Sequence, residues 1–189
     1  CLPLLFLSDF AGAEKLPPPE SLESVTSSEM IRSGELGFNK LVVCQRKQLS
    51  PSHVYTYHQE GLQPGGGLWI CDFSGEEVRK TMILGSPKGV ILDLNLNYDG
   101  RTILFSWKRT MEDNFQIYTI DIDGKNLKQI TDQDSNNFNA CWLPDGGIAF
   151  LSDRKPAFAY CWKTTTPILW RSKADGSKPV RLSANYLND

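Results

Sequence analysis

The chain has 189 residues, of which 40% are hydrophobic and 22% charged, and its 20 basic and 22 acidic side chains leave a net charge of −2. That is enough chain for one sizeable core and about one domain. The balanced charge gives no global field to draw the chain onto nucleic acid or anionic lipid, and no uninterrupted apolar stretch reaches the roughly 18 residues that crossing a bilayer requires.

Cys1 opens the chain. The apolar run Leu2 to Leu7, followed by Ala11-Gly-Ala13, has the form of a hydrophobic core leading to a small-x-small cleavage site before Glu14. It predicts that residues 1–13 are the remnant of a secretion signal and that the protein is periplasmic or secreted. A buried first strand is the other reading, because no basic segment precedes the run and Asp9 interrupts it. Residues 14–36 carry Pro17-Pro18-Pro19 and a Ser/Glu-rich stretch. They predict an extended linker in which Leu22, Val25 and Met30 make at most a short amphipathic turn or two.

Residues 37–189 repeat themselves. Asn95 to Ser106 matches Ala140 to Ser152, each run being an Asp-Gly turn into an apolar strand that closes on Ser. Gln116 to Thr131 matches Ile168 to Ser183, with Gly124 and Gly176 separated by 52 positions. A looser copy stands in Lys40 to Arg46 and Gly67 to Gly75, Gly75 lying 49 positions before Gly124. A period near fifty built of short strands is the signature of propeller blades. The predicted fold is therefore all-β, a β-propeller fragment of about three four-stranded blades at 38–84, 90–131 and 137–183.

Asp99-Gly100, Asp123-Gly124, Asp145-Gly146 and Asp175-Gly176 predict two-residue hairpin turns with both residues at positive φ, two hairpins to a repeat. Ile103, Phe105 and Trp107 alternate with Leu104 and Ser106, and Tyr118 and Ile120 with Ile117 and Thr119. Large side chains on both faces of a strand predict that it lies between two neighbouring sheets. Three blades are fewer than the about four to eight that close a propeller, so the chain reads as a fragment whose first partners are the remaining blades of a longer chain.

The segments Ile117 to Thr131 and Leu143 to Ser152 resemble the WD40-like repeats of TolB-type propellers. Pro64 to Leu68, Leu92 to Trp107 and Ala140 to Arg154 together resemble the middle domain of the hydrazine synthase alpha subunit and the bacterial secreted proteins that share it. The first likeness implies the propeller fold. The second implies an extracytoplasmic place; it does not carry hydrazine chemistry, since the Cys-x-x-Cys-His haem motifs of that subunit have no counterpart here.

The cysteines at 1, 44, 71, 141 and 161 include no Cys-x-x-Cys pair, which removes zinc-ribbon, thioredoxin-like and haem-attachment sites from consideration. In an oxidising compartment Cys44 with Cys71, or Cys141 with Cys161, are candidates for a disulfide; buried free thiols are the alternative. The two histidines, His53 and His58, share a long loop with Tyr55, Tyr57 and Glu60 and are the candidate ligands of a divalent metal. A spacing of five puts the rings on opposite faces of a regular strand, so ordinary loop histidines stacked on tyrosine are the competing reading. Pro64-Gly65-Gly66-Gly67 reads as a turn that lets the backbone pass close to the propeller axis, not a phosphate cradle, because the Lys-Ser/Thr ending is missing. Asp121 to Asn126 reads as a hairpin and not a calcium loop.

Arg154 to Lys163 is an aromatic insertion bounded by basic residues, and Phe158, Tyr160 and Trp162 in it are the candidate partner-binding residues. No catalytic residue and no resident cofactor is assigned, because a Gly-x-Ser-x-Gly elbow is missing and two histidines in one short segment leave little material for a triad. The expected function is an extracytoplasmic propeller scaffold, non-catalytic in this segment, that binds a protein or carbohydrate partner through face loops. The alternative is the scaffold portion of a metal- or haem-dependent redox enzyme.

Overall fold

The computed structural model describes residues 27–54, 56–155, 157–159 and 165–183. The predicted signal remnant and most of the predicted linker lie outside the described residues. The chain divides into two compact units, residues 1–39 and 40–189. In the first, α1 (Ser27–Arg32) is a short helix with Glu29 in its first turn and Arg32 in its last, the order that suits the helix dipole. Gly34 and Gly37, both at positive φ, follow it.

The second unit is built of antiparallel sheets. The first contains β1 (Lys40–Gln45), β2 (Gly67–Asp72) and β3 (Arg79–Gly85). The second contains β4 (Val90–Leu96), β5 (Thr102–Lys108), β6 (Gln116–Asp121) and the two-residue β7 (Lys128–Gln129). The third runs in the same order through β8 (Asn137–Trp142), β9 (Ile148–Ser152), β10 (Ile168–Ser172) and β11 (Val180–Arg181).

Both faces of the second sheet are buried, as its two-sided apolar pattern predicts. Ile103, Phe105, Tyr118 and Ile120 pack with Leu68, Val42 and Ile83 of the first sheet. Leu104 and Ile117, one register step away, pack with Ala140, Ile148 and Phe150 of the third. Sheets stacked face to face through alternate residues of the same strands are propeller blades.

Strand register shows which blade positions are filled. Ser106 pairs with Ile117 and Ser152 with Ile168, and the matching pair in the first sheet is Cys44 with Leu68. β1 and β2 thus correspond to the second and third strands of the other sheets, and β3 to the fourth. The first blade, predicted to have four strands, has three among the described residues, and the innermost is the one it lacks. The sequence before Lys40 explains this: Ser-Glu-Met-Ile-Arg favours a helical turn, and it leads through two positive-φ glycines instead of an alternating apolar run.

The hairpin turns also differ from the prediction. Gly100, Gly124, Gly146 and Gly176 are left-handed, but the aspartates before them are not. Each glycine N–H bonds the carbonyl three residues back, that of Asn97, Asp121, Leu143 or Lys173. The turns are therefore type I followed by a left-handed glycine; the closing bonds Asp121 N to Lys125 O, Leu143 N to Gly147 O and Lys173 N to Ser177 O make three of them the three-residue hairpin form, while Asn97 N bonds Thr102 O across a four-residue loop. The cause is the aspartate side chain, which accepts the backbone N–H two residues on, from Arg101, Lys125, Gly147 and Ser177, at 2.8 to 3.0 Å. That bond favours the right-handed conformation at Asp. Pro144, at a position where type I turns prefer proline, was the sequence signal for this form.

Candidate functional site: the loop end of the sheets

The connections β1–β2 (46–66), β5–β6 (109–115) and β9–β10 (153–167) leave their sheets at equivalent places. Leu49, Tyr57 and Leu62 of the first pack with Phe115 and Met111 of the second and with Val90, Leu92 and Phe138 beneath. Gly65 and Gly66, at positive φ, let the first loop return closely enough that a side chain on Gly66 would collide with the Gln45 carbonyl.

The innermost strands β4 and β8 carry a polar knot under these loops. Ser106 Oγ donates to Asp93 Oδ1 at 2.8 Å, and Asn139 donates from both its backbone N and its Nδ2 to Asp93 Oδ2 at 3.0 Å. Tyr57 Oη donates to Asn139 Oδ1 at 2.6 Å, and Trp142 N to Asn95 Oδ1 at 3.0 Å. Register slips at Ile91/Asp93 and at Phe138/Cys141, with Asn139 left-handed at φ 50°, mark β-bulges in both strands. Bulges re-aim side chains, and here Asp93 and Asn139 come to bridge two sheets. Burial raises the Asp93 carboxyl above its ordinary value against the lowering effect of those hydrogen bonds. The Tyr57 phenol is pushed up to about 12, first by burial and then by the Asp93 charge. Sequence reasoning passed over this knot, although Asp93 and Asn139 stand at the same offset as Ser106 and Ser152.

His58 is fully buried. Its ring stacks on Phe138 at 4.6 Å and 21° and meets Tyr57 edge-on at 5.6 Å. Neither ring nitrogen has a hydrogen-bond partner among the described residues, and Nε2 lies 3.9 Å from Asp153 Oδ2. Desolvation lowers the imidazole to about 4, the Asp153 carboxylate opposing that shift and Lys108 adding to it. Asp153 in turn accepts both Asn136 N and Asn136 Nδ2 at 2.8 Å. Lys108 is buried, with its ammonium 5.4 Å from the Phe115 ring centre.

His53 is half-buried in a tight turn, where its carbonyl accepts Thr56 N at 3.1 Å and Thr56 Oγ1 at 2.8 Å. Glu60 closes that turn, accepting from Ser52 and Thr56, whose hydroxyls hold its carboxyl below the ordinary range. His58 thus faces Phe138 and Asp153 while His53 is engaged with Thr56. Among the described residues no three His, Cys, Asp or Glu side chains are grouped to hold a metal ion.

The base of the 153–167 loop is clamped. Arg154 donates to Ser152 Oγ at 2.9 Å, Asn137 Oδ1 at 2.6 Å and Gln133 Oε1 at 3.1 Å, and its guanidinium lies 4.8 Å from the Trp170 ring centre. Ala157 and Ala159 are buried, while Phe158 between them is 57% exposed and forms a bridge with Thr165. Tyr160, Trp162 and Cys161 lie outside the described residues. Cys44 and Cys71 are free and sit three register steps apart on neighbouring strands, roughly 10 Å along the sheet at strand rise, which rules out their disulfide. Burial raises the Cys44 thiol, whose Sγ donates to Ile91 O at 3.5 Å.

Stacked antiparallel sheets with innermost strands bridged by a polar knot and long loops gathered at one end are the blades of a β-propeller. The comparisons agree on the fold. A TolB from Agrobacterium tumefaciens superposes with a TM-score of 0.53 at 16% identity, over 78% of this chain and 46% of that one. A puromycin hydrolase does so at 0.52 and 14%, over 78% of this chain and 21% of that one. In sequence, the Dipeptidyl-peptidase 5 of Porphyromonas gingivalis is 32% identical over 68 residues, covering 33% of this chain and 10% of the peptidase. The chain thus spans less than half the length of each. No protein-family model matches it.

Proposed function

We propose that the chain is a non-catalytic segment of an extracytoplasmic β-propeller scaffold that binds a protein or carbohydrate partner through the loops at one end of its sheets. Phe158 carries this reading. Its ring is exposed between two buried alanines on a loop whose base Arg154 fixes through three hydrogen bonds. An aromatic presented on a clamped loop has little freedom left to lose on binding, and in the sequence Tyr160 and Trp162 follow within four positions. The test is one pair of measurements on the wild type and Phe158→Ala: binding to arrayed glycans and to immobilised candidate proteins, and thermal unfolding. The variant should bind its ligand about tenfold more weakly, as an aromatic anchor does, and unfold within about 0.5 kcal/mol of the wild type, as exposed substitutions do. Unchanged binding, or a loss that follows unfolding, rejects the loop as the contact.

A second reading takes its support from the match to Dipeptidyl-peptidase 5 and the superposition on a puromycin hydrolase. In it the same propeller accompanies a hydrolase domain, and the loop end controls what reaches that domain.

A further inference from the structure

In the second and third sheets the strand that carries Ser106 or Ser152 is paired on both edges, β5 by β4 and β6, and β9 by β8 and β10. β1 holds the same register place and, among the described residues, is paired only by β2. Among the described residues no backbone bond other than the β2 ladder reaches Lys40–Gln45. Beside this edge lies a groove of about 540 Å³ lined by Val43 to Leu49. An unpaired edge of six residues is a template for an extended chain.

We infer that the inner edge of β1 is a docking site for an extended, acidic and apolar strand of a partner polypeptide, added antiparallel in the place that β4 and β8 take in the other two sheets. The molecule's own repetition indicates what fits. On β4, Asp93 stands opposite Ser106, Leu94 opposite Phe105 and Asn95 opposite Leu104; the corresponding positions on β1 are Cys44, Val43 and Val42. A docked strand of the β4 kind would set a carboxylate opposite Cys44, beside Arg46 and Lys47. Both cations are exposed; Arg46 spends one N–H on Leu92 O at 2.7 Å and its charge already acts on Asp93, while Lys47 makes no ion pair among the described residues and is the cation left for the docked carboxylate. At the other end of the strand Lys40 is turned to Asp72 at 3.6 Å, so it does not guard the edge as lysines on exposed edges do. A second copy of β1 is a poor occupant, because antiparallel self-pairing brings Lys40 of one copy toward Arg46 and Lys47 of the other.

The probe is a synthetic peptide with the sequence of residues 89–97, which contains β4 and carries Asp93 as its one charged side chain, titrated against the full chain by fluorescence anisotropy and by amide hydrogen exchange. Saturable binding is expected, with alternate amides of Lys40–Gln45, those facing away from β2, exchanging about tenfold more slowly in the complex. A peptide with lysine in place of its aspartate, and the exposed-site variant Lys47→Glu with the original peptide, should each bind about tenfold more weakly, the scale of one charge-assisted contact. Equal binding of a scrambled peptide overturns the inference, as does protection gained anywhere but on β1. So does protection of every β1 amide in the free chain, or protection that rises with protein concentration alone, which would assign the edge to a second copy.

Discussion

His58 is a buried imidazole that meets a ring on one side and a carboxylate at a distance too long for a hydrogen bond. The groups facing it are Asp153 after β9, Lys108 at the end of β5, Tyr57 beside it in the loop and Phe138 on β8. Its folded value, about 4, lies below the ordinary 6.5. As the pH falls the unfolded chain takes up the proton first, so the stability held above pH 6.5 is lost progressively down to about pH 4. The shift corresponds to about 3 kcal/mol at most. Denaturant unfolding at pH 7, 5.5 and 4 should show this loss in the wild type and a flatter profile in His58→Phe, which keeps the stack on Phe138 and removes the titrating group. Identical slopes in the two proteins across that window would refute the assignment.

The hairpin turns show how elements of one sequence pattern acquire different constraints. All four turn glycines are left-handed, a conformation that costs a side-chain-bearing residue about 1 kcal/mol or more. Around Gly100 a Cβ would meet open space, whereas at Gly176 it would collide with the Ile130 carbonyl of the preceding sheet, and at Gly124 it would press on Ile83 O at 3.2 Å. The outer hairpins are thus inter-blade contacts and the inner hairpin at Gly100 is not. Gly100→Ala should cost about 1 kcal/mol, the conformational cost alone, and Gly176→Ala roughly 3 kcal/mol, because backbone must move to admit the methyl group. Equal midpoints for the two variants in urea would mean that the turn at Gly176 does not bear on its neighbour.

Among the described residues, the second sheet is covered on both faces and the third on one. Residues one register step from Trp170 point away from the second sheet, and they include Leu169 and Val180. Val180 and Leu182 are 55% and 50% exposed. An apolar sheet face in water favours association, so the chain should self-associate at tens of micromolar in sedimentation velocity. The double variant Val180→Lys, Leu182→Lys should shift it toward monomer. A monodisperse wild type under the same conditions would show that the face is already covered.

By itself the sequence determined the class of fold and the order of its parts. The spacing of the Asp-Gly turns and the two-sided apolar alternation of Ile103 to Trp107 are local properties, and burial on both faces leaves stacked sheets as the arrangement that satisfies them. Only the tertiary structure decided the rest. The turn type followed from aspartate side chains bonding the backbone, a competition that the dipeptide alone leaves open. That no described residue supplies an innermost strand to the first sheet became legible when Cys44 was found opposite Leu68 in the register of Ser106 and Ser152. The candidate site was legible only in part: the 46–66 and 153–167 loops stood out by composition, and Phe158 is exposed, while the knot of Asp93, Asn139 and Tyr57 was silent. Its members are separated by 46 and 82 positions, and one aspartate in a strand carries no mark of its partner. Such pairings are set by where bulges turn side chains and where a long loop lands, which depends on the packing of whole sheets and not on any window of sequence.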